Sequence, residues 1–175
     1  ECRTTITQGQ YNRVAYSLAT DRNYLINNGN SGVQITAIPD QNFEQALIAL
    51  GYDSGAPDGF VPTDSISSIT SLDVSNRNIT DLSGIDDFIV LTSLNCNDNQ
   101  LTSLDVSKNT ALTKLWVQRG NQLTNLDVSH NTALDFLALG GNQLTSLDVS
   151  KNTALTKLYC RDNQLTSLDV SKNKA

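Results

Sequence analysis

"LTSLNCNDNQLTSLDVSKNTA" fills residues 91–111, and it is followed without a gap by "LTKLWVQRGNQLTNLDVSHNTA" at 112–133, "LDFLALGGNQLTSLDVSKNTA" at 134–154 and "LTKLYCRDNQLTSLDVSKNKA" at 155–175. A looser copy begins at Ile69. The five copies start at Ile69, Leu91, Leu112, Leu134 and Leu155, so they repeat every 22, 21, 22 and 21 residues. A fixed period of this length marks a chain that winds into stacked coils, each too small to bury its own apolar face.

The spacing L-x-x-L-x-[VCL] followed by N-Q-L falls in the leucine-rich-repeat range of about 20–29 residues. Each coil divides into two similar halves, and in both the apolar residues alternate with polar ones as in a short strand with one buried face. The alternation predicts strands in both halves. It points Leu158, Cys160, Leu168 and Val170 inward, and Lys157, Tyr159 and Arg161 outward. The expected fold is a leucine-rich-repeat solenoid of short parallel β-strands in about five coils over 69–175, with a small N-terminal helical cap.

Asparagines form two columns, Asn99, Asn121, Asn142 and Asn163 in the first half and Asn109, Asn131, Asn152 and Asn173 in the second. An asparagine side chain both donates and accepts, so a stacked column can satisfy backbone groups at the corners. The first coil departs from the pattern, with Arg77 in the asparagine position and Asn78 one place later.

Residues 38–68 read as a cap and connection. Phe43, Ala46, Leu47 and Leu50 have helical spacing, Asp40 is placed to cap the N-terminus and Gly51 the C-terminus. The turn-rich "YDSGAPDGF" carries Asp53 and Asp58 without the spacing of a calcium loop. Residues 1–37 do not repeat; Val14, Tyr16 and Leu18 alternate like a strand, while Tyr11, Ala15 and Leu18 fit a helix equally well. The last coil ends at Ala175 with no capping segment after it, leaving an apolar edge for a continuing chain or a partner to cover.

The sequence carries 12 Lys and Arg against 18 Asp and Glu, a net charge of -6. That balance argues against a nucleic-acid binder, which needs a basic face. No apolar run approaches the roughly 18–20 residues of a membrane span. A start at Glu1 and the lack of any Met fit an exported, processed chain or an excised piece. Cys96 and Cys160 occupy one repeat position three coils apart, roughly 14 Å at strand spacing. A disulfide needs Cα atoms within about 7 Å, so both read as buried apolar residues. Cys2 stands alone, as a free thiol, an intermolecular link or a remnant.

The stretch "LTSLNCNDNQLTSLDVSKNTALTKLWV", together with "IPDQNFEQALIALGYDSG" before it, resembles the 21-residue, cysteine-containing repeats of internalin-type proteins. It is most similar to those of secreted leucine-rich-repeat proteins from Bacteroidetes-like bacteria. The resemblance covers about residues 38–175. It implies a secreted or cell-surface bacterial protein that binds host or environmental macromolecules through its sheet.

Comparing the repeats with one another localises the expectation. Outward positions of the second half barely change: Asp105, Asp127, Asp148 and Asp169 form one column, Ser107, Ser129, Ser150 and Ser171 another. Outward positions of the first half vary, and they hold the only Trp. Folding asks no more of one solvent face than of the other. The candidate ligand face is therefore Asn95, Lys114, Trp116, Gln118, Arg119, Phe136, Lys157, Tyr159 and Arg161. Aromatic and arginine residues are the usual anchors of protein interfaces, and aromatics also stack on sugars, so the expected partner is a protein or a glycan. The extra residue in "WVQRGNQ" should bulge the coil near Arg119.

The alternative is a structural role, with self-association through the open last coil and residues 1–37 building a head-to-tail filament. No enzyme is expected: the single His, His130, lies in the solvated Lys108, Lys151 and Lys172 column, and there is no phosphate loop, zinc spacing or nucleophile elbow. The Asp column makes a poor calcium site, since that ion wants about 6–8 oxygens. No metal or cofactor is expected.

Overall fold

The computed structural model of the chain describes residues 34–174. Expectations for residues 1–33, including Cys2 and the strand-or-helix alternatives around Val14 to Leu18, lie outside the described residues.

Two strands and two helices come first: β1 (Ile35–Ala37), α1 (Gln41–Ala49), β2 (Phe60–Pro62) and α2 (Thr63–Ile66). Five three-residue strands follow: β3 (Ser71–Asp73), β4 (Ser93–Asn95), β5 (Lys114–Trp116), β6 (Phe136–Ala138) and β7 (Lys157–Tyr159). β1 and β2 pair antiparallel, and β3 to β7 form a parallel sheet in sequence order. The chain is a leucine-rich-repeat solenoid. Its register aligns Leu72, Leu94, Leu115, Leu137 and Leu158, so one inward leucine per coil stacks along the axis, buried in the first four coils and partly so at Leu158. Cys96, Val117 and Leu139 are fully buried in the next inward column.

The expectation of strands in both halves is corrected. Only the first half of each coil forms one. Residues 102–107 and 124–129 share no backbone hydrogen bond among the described residues. In the second half Asn109 N donates to Val106 O at 3.0 Å, closing a turn at once, and the Asn131 side chain takes the same carbonyl at 2.9 Å.

The asparagine columns do what their chemistry allows, but differently. In the first, Asn121 Oδ1 accepts from Leu101 N at 3.0 Å while its Nδ2 donates to Cys96 O at 3.0 Å and Gln118 O at 3.3 Å. Asn142 and Asn163 repeat this with Leu123 N and Leu144 N. In the irregular first coil, Arg77 N and Ile79 N both donate to Asn99 Oδ1. In the second column only the Nδ2 works, donating to two carbonyls of the preceding coil; the Oδ1 of Asn109, Asn131, Asn152 and Asn173 has no donor among the described residues.

The cap is fixed by two carboxylates. Asp40 Oδ1 accepts from Asn42 N and Phe43 N at the start of α1, and its Oδ2 accepts from Thr80 N, Thr80 Oγ1 and Asp81 N in the first coil. One side chain thus caps the helix and pins it to the solenoid. Phe43 and Leu47 are fully buried, each contributing about 1.5–3 kcal/mol, and Phe43 stacks on Phe88 with ring centroids 6.3 Å apart. Leu50 is not on the buried face: it ends the helix and is exposed, and Gly51 follows in the left-handed region at φ 82°. Buried Glu44 accepts from Asp58 N and Gly59 N, which shapes the 53–59 turn.

At the other end the inward residues run out of cover. Leu147 and Val149 are buried, but their counterparts Leu168 and Val170 are 36% and 48% exposed. Cys160, expected to be buried, is only partly so for the same reason, whereas Cys96 is fully enclosed; both are free thiols. Burial pushes the Cys96 thiol well above its ordinary pKa.

Candidate functional site: the variable face of the sheet

A three-residue strand whose centre faces the core presents its two flanking residues to solvent. The register therefore builds two outward columns. One holds Ser71, Ser93, Lys114, Phe136 and Lys157; the other holds Asp73, Asn95, Trp116, Ala138 and Tyr159. Phe136 has a lysine on either side along its column. It lies diagonally between Trp116 and Tyr159, close enough for large rings to meet.

They do meet. Trp116 and Phe136 have ring centroids 4.9 Å apart and Phe136 and Tyr159 5.5 Å, both pairs tilted by 38°. Each contact contributes about 0.5–1.5 kcal/mol beyond the area it buries. The row runs across three strands from β5 to β7. Tyr159 is 50% exposed, while Trp116 and Phe136 are half-buried.

Two small residues make the row fit. Ala138 lies in an outward column yet is 1% exposed, flanked in register by Trp116 and Tyr159. Gly140, two residues on, is also buried; a Cβ there would lie 3.4 Å from Arg161 Cγ and 3.6 Å from Gln118 Nε2. β6 thus supplies one ring and then a low floor over which side chains of β5 and β7 close. Ala138 and Gly140 belong to the varying outward positions but not to the candidate ligand face read from the sequence. Their signal was there: no other Ala or Gly stands in these outward positions.

The remaining candidates divide. Lys114, Arg119, Lys157 and Arg161 are exposed around the aromatic row, and Gln118 is half-buried beside it. Arg161 Nε lies 3.6 Å from Asp162 Oδ2, with both side chains at least three-quarters exposed, so the pair binds weakly. Asn95 is occupied within the sheet: its Nδ2 donates to Asp73 Oδ2 at 3.1 Å and its Oδ1 accepts from Asn97 N at 3.2 Å. Asn97 Oδ1 in turn accepts from Gln118 N at 2.7 Å. These asparagines order the early edge of the face.

The bulge expected near Arg119 is present. Arg119 and Gly120 have φ of 51° and 64°, where neighbouring coils place one left-handed residue, Asp98, Gly141 or Asp162. A Cβ on Gly120 would sit 2.8 Å from the Asn99 carbonyl oxygen, so glycine is required there. The extra residue carries the Arg119 side chain out at the corner.

The constant half has a structural explanation. Asp105, Asp127, Asp148 and Asp169 each accept, through Oδ1, the backbone N–H of the serine two residues on, at 2.8–2.9 Å. Those bonds, more than Lys108, Lys151, Lys172 or His130, hold the four carboxyls below the ordinary aspartate range. The uniform Asp and Ser columns are local turn formers. A shallow concavity of about 430 Å³ lies on this half between Thr102–Asp105 and Thr124–Asp127, lined, apart from Asn125, by residues that the last four coils repeat. Among the described residues no group of three or more His, Cys, Asp or Glu is placed to hold a metal ion, and no helix is long and apolar enough to cross a membrane.

Comparison with known proteins agrees with the geometry. No family model matches the chain. Over 72 residues it is 43% identical to Internalin J of Listeria monocytogenes serotype 4b, a match spanning 41% of this chain and 8% of that protein. The solved functional domain of InlJ from Listeria monocytogenes, described as including a cysteine ladder, superposes with a TM-score of 0.72 at 42% identity; the match covers 80% of this chain and 31% of that one. A leucine-rich-repeat protein of Leptospira interrogans superposes with a TM-score of 0.58 at 25% identity, covering 65% of this chain and 32% of that one. The chain is an internalin-like leucine-rich-repeat protein, and it spans less than a third of the solved InlJ domain.

Proposed function

We propose that this chain is a binding module of the adhesion type, secreted or displayed at a bacterial surface, that recognises a macromolecular ligand with the variable face of its sheet. The similarity to Internalin J and to the InlJ domain supports the class. The observation that carries the assignment to this face is the Trp116–Phe136–Tyr159 row on positions that differ from coil to coil. The opposite half keeps residues that turns alone explain. The aromatic side chains are already packed on one another and on a hydrogen-bonded sheet, with β5 and β6 paired on both sides, so binding freezes little that is loose, which favours affinity. The mechanism is rigid display.

The test compares two double variants in adhesion of protein-coated beads to epithelial cell layers and to extracellular-matrix surfaces. Trp116→Ala/Tyr159→Ala should lose adhesion by about tenfold or more, as for interface anchors. Ser103→Glu/Ser146→Glu on the constant half should retain it. Circular dichroism and urea unfolding confirm that both fold. Equal adhesion of the two variants would remove the face assignment.

A further inference from the structure

Four cations surround the aromatic row. Lys114 and Lys157 flank Phe136 on both neighbouring strands, and Arg119 and Arg161 stand at the corners beyond Trp116 and Tyr159. All four are exposed, and all are donors with no acceptor capacity. The asparagine amides at the early edge are committed, Asn95 to Asp73 and Asn97, and Asn97 Oδ1 to Gln118 N, which leaves the half-buried Gln118 amide among the cations. Yet the chain as a whole has a net charge of -6. A cationic rim favours ligands of negative charge.

The rings narrow the class further. Neutral sugars offer hydroxyls that both donate and accept, and they stack on ring faces open to solvent. Acceptors near the rings are fewer among the described residues: the Gln118 amide, Asp135, and the corner carboxylates Asp98 and Asp162, the last of which faces Arg161. The rings are tilted 38° against each other, with Trp116 and Phe136 half-buried. A compact, partly buried aromatic cluster inside a charged rim is the anatomy of a protein–protein hot spot.

We infer that the ligand of this face is an acidic segment of another protein, an apolar or aromatic anchor flanked by carboxylates, with the anchor on the Trp116–Phe136–Tyr159 row and the carboxylates on Lys114, Lys157 and Arg161. The inference rests on the face being the binding surface. Lysines 114 and 157 lie on either side of Phe136, so the ligand carries acids on both sides of its anchor. Rim charges act mainly on association rate, so binding weakens as salt rises.

The test is selection from a random peptide display library on the whole chain, run beside a glycan array holding neutral and acidic polysaccharides. Each is counter-screened on Trp116→Ala/Tyr159→Ala. Binding of the selected peptides is read from the fluorescence of Trp116, the only Trp in the sequence. The expected result is enrichment of peptides with Asp or Glu flanking an apolar residue. Their affinity should fall by about tenfold in Lys114→Gln/Lys157→Gln, a few-fold per exposed charge, with the fold unchanged. Enriched peptides without acidic bias, or retention of glycans alone, would overturn the inference while leaving the face as a binding surface. Ligands that bind the aromatic double variant as well as the parent would overturn both.

Discussion

The two asparagine columns look alike in sequence, yet truncating them should have unequal effects. In Asn121→Ala the lost Oδ1 was the acceptor for Leu101 N, which has no other acceptor among the described residues. The carbonyls served by its Nδ2 keep partners, since Cys96 O also accepts from Asn99 Nδ2 and Gln118 O from Asp98 N. The cost is one buried N–H left unpaired, about 1–3 kcal/mol, plus about 1 kcal/mol for the remaining bonds, or roughly 2–4 kcal/mol in all. In Asn131→Ala both carbonyls keep partners, Val106 O from Asn109 N and Asn109 O from Leu112 N, and no N–H is stranded. The same truncation removes an Oδ1 that is buried without a donor among the described residues, a relief that offsets most of the two lost bonds. Its net cost should be about 0–1 kcal/mol, so the two variants should differ by about 2 kcal/mol. Urea unfolding of the parent and both variants measures this, with matching transitions by circular dichroism and Trp116 fluorescence as the check on two-state behaviour. Asn142→Ala and Asn152→Ala repeat the comparison one coil further on. Equal losses in the two columns, or a larger loss in the second, would refute the bond-by-bond argument.

Three further outcomes are expected. Gly120→Ala should lose roughly 1–3 kcal/mol in the same urea assay, because its Cβ would meet the Asn99 carbonyl oxygen at 2.8 Å and its φ is 64°. Ala138→Leu should spread the aromatic row, shift Trp116 emission to the red and cost about 1–3 kcal/mol by overpacking; unchanged emission would show that Ala138 is not its floor. Stability should also have an optimum in mild acid, measured as the urea midpoint against pH. Burial pushes Glu44 and Asp53 up, so protonating them as pH falls toward their raised values favours the folded state. Asp40 is partly buried, but bonds from Thr80, Phe43 and Asp81 outweigh that and hold it down, and serine N–H groups hold down Asp105, Asp127, Asp148 and Asp169. Their contribution is present above the unfolded value of about 3.9 and is lost as pH falls below it. A monotonic rise in stability down to pH 3 would contradict the assignment.

The period of the leucines was enough to read the solenoid, the order of its strands and the outward direction of Trp116, Phe136 and Tyr159, because stacking at a fixed repeat leaves no other register. Asp40 was legible as a helix cap; its second oxygen, bound to Thr80 and Asp81 forty residues away, was not, since nothing local marks a distant donor. The contact between the rings depended on Ala138 and Gly140 being low enough for neighbouring strands to close over them, a matter of three adjacent coils at once.

The limit is clearest in one five-residue stretch. "SLDVS" occurs at 71–75 and again at 103–107, with the same alternation and the same Asp-to-Ser bond. The first copy contains β3, and the second belongs to no strand. What differs is what lies beside and after them. Val74 N and Asn76 N find Asn95 O and Asn97 O on the next coil, whereas no backbone N–H of 103–107 donates to the next coil among the described residues. The sequence by itself determined which residues face the core and which face water. The partner available to each backbone group, decided only by the assembled coils, determined which outward residues stand on a hydrogen-bonded sheet and so form a rigid face.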